Sequence, residues 1–170
     1  MRLKDKVAII TGGSRGIGFA TADAFLREGA KVAVAASSEK NAEAAVEKLK
    51  AIHPDAEVVG ISPNLGSFES VKEEFDKVEK QFGRIDILVN NAGVSESTPF
   101  TSYTEADFDR VIDLNVKGVF NATRAVVDGM IKNHSGVVLN TSSMVSISGQ
   151  PSGFAYPASK FAVNGTTISL

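Results

Sequence analysis

The sequence predicts an α/β fold, an open parallel sheet doubly wound with helices on both faces. Three observations carry that prediction. Short β-branched runs alternate with longer stretches of helical period along all 170 residues. Most of the runs are continuously apolar, as strands covered on both faces are. A glycine-rich turn directly follows the first run and opens an amphipathic stretch. No repeat, low-complexity tract or long linker interrupts the alternation, so a single domain over residues 1–170 is expected.

The first strand, residues 7–11, reads Val-Ala-Ile-Ile-Thr and is stopped by Gly12-Gly13. A helix over 17–28 follows, with Gly29 where a C-terminal cap favours glycine. A strand at 32–36, a helix at 39–52, a strand at 57–61 and a helix at 68–82 come next. In the last of these, Val71, Phe75, Val78 and Phe82 recur at spacings of four and three, while Lys72, Glu73, Glu74, Lys77 and Lys80 take the other face. That stripe is core, and Gly83 closes the helix. A strand at 85–90, one long helix over 105–132, a strand at 136–141 and a helix opening near Tyr156 complete the pattern. Segments 97–103 and 145–154 read as loops. In such a sheet a ligand belongs at the carboxyl ends of the strands.

Composition removes several classes of function. With no Cys there is no disulfide framework, thiolate nucleophile or cysteine-based zinc site, and no metal is expected. His53 and His134 read as solvent-facing loop or helix-end residues. A net charge of −2, with basic and acidic residues mixed, offers no stripe for nucleic acid or anionic lipid. No run approaches the ~18 apolar residues of a membrane span, and the charged start lacks a secretory core. A cytoplasmic location follows as the expectation.

The turn after the first strand reads Thr11-Gly12-Gly13-Ser14-Arg15-Gly16-Ile17-Gly18. Glycines let a backbone approach a pyrophosphate closely, and a helix N-terminus stabilises its charge. The context of strand, turn and helix is that of a Rossmann-type dinucleotide site, with the spacing T-G-x-x-x-G-x-G in place of the strict G-x-G-x-x-G. An acidic residue at the end of the second strand would bond ribose hydroxyls and repel a 2′-phosphate. Ser37 and Ser38 stand there, Glu39 reads as a first-turn residue favoured by the helix dipole, and Arg15 is available to a phosphate. NADP(H) is therefore expected in preference to NAD(H).

Beyond the fourth strand lies Asn90-Asn91-Ala92-Gly93, and beyond the fifth Ser142-Ser143 and Tyr156-Pro157-Ala158-Ser159-Lys160. Together with the glycine loop, this order resembles the short-chain dehydrogenase/reductase family from about Asp5 to the last residue. Within it, Arg15-Gly16-Ile17-Gly18-Phe19 and Gly118-Val119-Phe120-Asn121 look most like bacterial 3-oxoacyl-acyl-carrier-protein reductases and bile-acid hydroxysteroid dehydrogenases. The resemblance implies the strand order 3-2-1-4-5 and a catalytic tetrad of Asn115, Ser143, Tyr156 and Lys160, with Ser142 the adjacent near-miss. It also implies cofactor contacts at Gly12, Ser14, Arg15, Gly16, Ile17, Gly18, Ser37, Asn64, Leu65, Asn91, Ala92, Gly93, Tyr156 and Lys160. Asn64 departs from the Asp of many relatives, though its amide oxygen still accepts a hydrogen bond. Thr11 is expected to bond the segment after the fourth strand.

The residue types suit hydride transfer between NAD(P)(H) and a carbonyl or secondary alcohol. A ketone needs a hydride on carbon and a proton on oxygen, with that oxygen held while charge develops. A tyrosine gives the proton, and a nearby ammonium favours its anion. The resemblance gives Lys160 that charge and the nicotinamide ribose, Ser143 the substrate oxygen, and Asn115 a water relay to Lys160. Pro157 belongs in a first helical turn, so Tyr156 is expected at the helix entrance. Substrate classes implied are hydroxysteroids such as bile acids and 3-oxoacyl thioesters, and the resemblance implies a homo-oligomer, dimer or tetramer. Relatives continue with two more strands, so the domain is expected to be truncated after the Tyr/Lys helix. A dinucleotide-binding module or an assembly partner without turnover is the alternative reading.

Overall fold

Alternation in the first strand sets the layers. A computed structural model describes residues 1–170. In β1 (Val7–Thr11), Val7 and Ile9 pack to one side with Phe75, Leu88 and Val126, while Ala8 and Ile10 pack to the other with Ala22, Leu49 and Val89. Two cores on opposite faces of one sheet are the result. Strands β2 (Lys31–Ala35), β3 (Val58–Ile61), β4 (Ile87–Asn90) and β5 (Val137–Asn140) join β1 in the order β3-β2-β1-β4-β5, and every pairing is parallel. This is the doubly wound Rossmann-type sheet and the strand order expected.

Helices α1 (Gly16–Arg27) and α2 (Glu39–Ile52) cover one face, and α3 (Phe68–Phe82) and α5 (Gly118–Lys132) the other. Ser38 and Ser67 cap α2 and α3 by accepting from the main-chain N–H three residues on. Gly83 ends α3 with φ 89°, a left-handed conformation that a side chain would strain. The remaining helices are α4 (Glu105–Ile112), one-turn α6 (Val145–Ser148) and α7 (Ala155–Ser169).

Four expectations need correction. The long helix over 105–132 is interrupted by a π-helical segment, Asp113–Lys117. Among its buried residues, the series Val111, Asn115, Val119, Ala122, Val126 and Met130 is spaced at about 3.8 residues, more than the 3.6 of an α-helix, and one wide turn absorbs the drift of about 100°. Segments 97–103 and 145–154 are not purely loop: they contain the 3-10 turn Phe100–Ser102 and α6. Strand β5 is not covered on both faces, since Val137 and Leu139 are about half exposed at the sheet edge. His53 ends α2 but is turned inward, its Nε2 2.7 Å from Asp23 Oδ1, whereas His134 is exposed as expected.

Candidate functional site

The sheet order reverses between β1 and β4, and loops from their carboxyl ends meet there. Thr11 joins them. Its hydroxyl donates to Val89 O (3.3 Å) and accepts from Asn91 N and Ala92 N, both at 3.0 Å. Asn91 Nδ2 returns the tie by donating to Thr11 O and Gly12 O. The closeness of the loops explains two glycines. A Cβ at Gly12, where φ is +64°, would lie 2.9 Å from Ala92 Cα, and one at Gly18 would lie 2.3 Å from Gly12 O.

The mouth of this cradle is open. A Cβ at Gly16 would meet nothing within 4 Å, Arg15 and Ile17 are exposed, and Ser14 is half-buried. The N-terminus of α1 has no side-chain cap and no acidic residue in its first turn, so main-chain N–H groups without intrahelical partners face the crevice. Donors, dipole and backbone space fit the pyrophosphate of a dinucleotide cofactor. Nearby polar groups are partly committed: Ser38 caps α2, and Ser37 Oγ accepts from Asn41 Nδ2 (3.4 Å). Glu39 lies in the first turn of α2, and Arg15 forms no ion pair. Asn64 Oδ1 accepts from Gly66 N (3.0 Å), which leaves it one lone pair, and Leu65 O accepts from Asn121 Nδ2 (2.7 Å).

At the other side of the crevice, α7 presents Tyr156 and Lys160 four residues apart on one face. Pro157 occupies the first turn, as expected. Lys160 is only 6% exposed; its Nζ donates to Thr141 O (2.7 Å) and lies 5.8 Å from the Tyr156 ring centroid. Burial pushes the Lys160 ammonium below the usual lysine range. Asn115 sits in the π segment, and a Cβ at Gly93 would touch both Asn115 Oδ1 (3.1 Å) and Lys160 Nζ (3.8 Å). Both Asn115 amide protons are used, by Val94 O (2.9 Å) and Ser159 Oγ (3.0 Å), and Oδ1 accepts from Val94 N (2.8 Å). Ser142 and Ser143 diverge: Ser142 Oγ donates to Asn164 Oδ1 (2.6 Å), with Lys160 O farther off at 3.4 Å, while Ser143 Oγ only accepts from Val145 N (3.4 Å) and keeps its own proton free.

Several supporting residues escaped sequence reasoning. Ser159 is fully buried and links Asn115 to Tyr156, donating to Tyr156 O at 2.7 Å; its place directly before Lys160 was the available signal. Glu96 stands near the otherwise uncapped start of α7, where Oε1 accepts from Tyr156 N (3.4 Å). Tyr103 adjoins it, and burial first, then the Glu96 carboxylate, raise the Tyr103 phenol above its ordinary range. No spacing rule connects residue 96 or 103 to residue 156.

Comparison with known proteins agrees with this arrangement. The short chain dehydrogenase family model matches residues 6–170. A 3alpha-hydroxysteroid dehydrogenase of Mediterraneibacter gnavus is 51% identical over 170 residues, all of this chain and 68% of that protein. A 3-oxoacyl-acyl-carrier-protein reductase of Thermotoga maritima is 41% identical over 98% of this chain and 67% of its own length. The crystal structure of an NAD+-bound xylitol dehydrogenase superposes with a TM-score of 0.94 at 33% identity, covering 99% of this chain and 65% of that one. The chain spans about two thirds of the length of these proteins. With a match from residue 6 to the end, and with the glycine cradle and the Tyr156–Lys160 pair at one crevice, the chain belongs to the short-chain dehydrogenase family.

Proposed function

We propose that this chain is the cofactor-binding and catalytic part of an NAD(P)-dependent dehydrogenase or reductase acting on a hydroxysteroid such as a bile acid. The observation that carries the reading is the buried Lys160 ammonium held beside Tyr156, across the crevice from the glycine cradle. A bound nicotinamide supplies the hydride in reduction and accepts it in oxidation. Tyr156 gives its phenolic proton to the carbonyl oxygen in reduction and takes one from the alcohol in oxidation. Ser143 donates a hydrogen bond to that oxygen, keeping its own proton, and holds it as charge develops. The Lys160 ammonium, 5.8 Å from the Tyr156 ring centroid, attracts the phenolate that Tyr156 forms on giving up its proton. That attraction favours the anionic tyrosine over the neutral one and assists proton exchange. Asn115 holds Val94 and Ser159 in place around this pair, and the second lone pair of its Oδ1 orders water leading to Lys160.

Ser37, Ser38 and the unpaired Arg15 support NADP(H) over NAD(H), since no acidic residue follows β2 directly to repel a 2′-phosphate. The identity to a hydroxysteroid dehydrogenase favours the steroid, and the identity to a 3-oxoacyl-acyl-carrier-protein reductase supports a 3-oxoacyl thioester as the second reading. A homo-oligomer in the cytoplasm completes the proposal; no helix is long and apolar enough to cross a membrane. The test is oxidation of NADPH and NADH by the natural gene product carrying this sequence, with oxo bile acids and 3-oxoacyl thioesters. Tyr156→Phe is expected to bind cofactor normally and to lose nearly all turnover. Ordinary turnover by that variant would remove Tyr156 from the mechanism.

A further inference from the structure

The stripe that carries Tyr156 and Lys160 continues one step further. Asn164 lies four residues beyond Lys160 on the same face of α7, and its amide engages the turn after β5 with both ends. Oδ1 accepts from Ser142 Oγ at 2.6 Å. Nδ2 donates to Ser146 Oγ at 3.0 Å and approaches Ser146 O at 3.5 Å. Ser146, 4% exposed, passes its own proton on to Ser143 O at 2.5 Å, a carbonyl that also accepts from Ser146 N.

We infer that Asn164 is a positioning residue that decides which of two adjacent serines meets the substrate oxygen. The inference rests on the proposed role of Ser143. Through Oδ1, Asn164 takes the Ser142 proton at 2.6 Å, nearer than the Lys160 main-chain carbonyl of the same helix at 3.4 Å. Through Nδ2 it orients Ser146, whose hydroxyl fixes the Ser143 carbonyl and thereby the direction of the Ser143 side chain. A hydroxyl has one proton to give; Ser142 has spent its proton and Ser143 has not. The same residue ties the serine turn to the helix of Tyr156, so the two groups that must converge on one oxygen are held in a common frame. An apolar residue at position 164 would leave Ser142 only the longer bond to Lys160 O, and would leave the Ser146 hydroxyl unguided beside a Ser143 carbonyl still held by Ser146 N.

The test is a mutant cycle in the natural gene product, using whichever probe supports turnover, an oxo bile acid or a 3-oxoacyl thioester. Displacing a reacting group by about 1 Å costs up to about 100-fold in rate. Asn164→Leu is therefore expected to lower kcat by about 10- to 100-fold, with NADPH affinity, read by cofactor fluorescence, unchanged within about twofold. In a Ser143→Ala background the same substitution should cost less than about threefold, because the group it positions is already gone. A purely structural role would give equal losses in both backgrounds, and that result overturns the inference. Asn164→Asp covers the case in which the leucine variant does not fold. It preserves size but draws the Ser146 proton to its carboxylate, releasing the Ser143 carbonyl, and should also lower kcat at unchanged cofactor affinity. If Ser143→Ala is impaired while both Asn164 variants turn over normally, the inference fails and the site reading stands. If Ser143→Ala itself turns over normally, both fail.

Discussion

Replacing Gly18 by alanine tests the cradle at its tightest point. The new Cβ would sit 2.3 Å from Gly12 O and 2.6 Å from Asn91 Nδ2, against at least 3.4 Å for ordinary contact. The shortfall is about 1 Å, and the nearest neighbour is main chain, which cannot swing aside as a side-chain tip does. The Gly12 carbonyl must move, and its bond from Asn91, which joins the ends of β1 and β4, stretches or breaks. Overpacking of this kind costs about 1–3 kcal/mol. If that cost falls on the conformation that receives the pyrophosphate, cofactor affinity drops by about 5- to 150-fold. Fluorescence titration with NADPH and NADH measures the affinity, and circular dichroism checks the fold. Gly165→Ala is the control, since its Cβ meets nothing within 4 Å and it sits in α7 away from the cradle. Wild-type affinity in a folded Gly18→Ala protein would refute the close-approach reasoning.

Phe75, 1% exposed between α3 and the sheet, should lose about 3–5 kcal/mol of stability as Phe75→Ala, measured by urea denaturation. Arg15→Ala should lower kcat/KM for NADPH more than for NADH; an equal effect on both would detach Arg15 from the 2′-phosphate. Asp23 is held below the usual carboxylate range, first by its hydrogen bond to His53 and then by Arg27, against the opposing effect of burial. A depressed carboxylate stabilises the fold fully above its ordinary pKa of about 3.9 and loses that contribution as pH falls through the lower folded value. Asp23→Asn should therefore be less stable than the parent at pH 7, with the difference shrinking below about pH 4 in chemical denaturation at several pH values.

Elements whose identity rests on local pattern were legible in the sequence. Helices α2 and α3 begin and end at the expected residues, because Ser38, Ser67 and Gly83 punctuate them chemically. The glycine cradle was legible for the same reason, its backbone demands being written in the residue types themselves. The break at Asp113–Lys117 was not legible, because which residues are buried emerges only in the structure, and periods of 3.6 and 3.8 differ visibly only over some twenty positions. Contacts between distant segments were out of reach. Glu96 meets Tyr156 N, and Asn164 meets Ser146, only because the sheet order brings the ends of β4 and β5 beside α7. The choice of Ser143 over Ser142 rests on family resemblance, and the contact that separates the two hydroxyls in space, Ser142 to Asn164, is again one between distant segments.

The π segment also sets a conflict between local comfort and use. Deleting one residue from Asp113–Lys117 would restore a regular α-helix, which is locally the more favourable conformation. It would also turn everything beyond the deletion by about 100°, swinging Ala122 and Val126 off the sheet or Asn115 away from Val94 and Ser159. The extra residue thus acts as a phase shifter between two rigid rods, letting α4 and α5 obey different neighbours. A stability-driven redesign that regularised this helix would be drawn toward the one edit that dismantles the site.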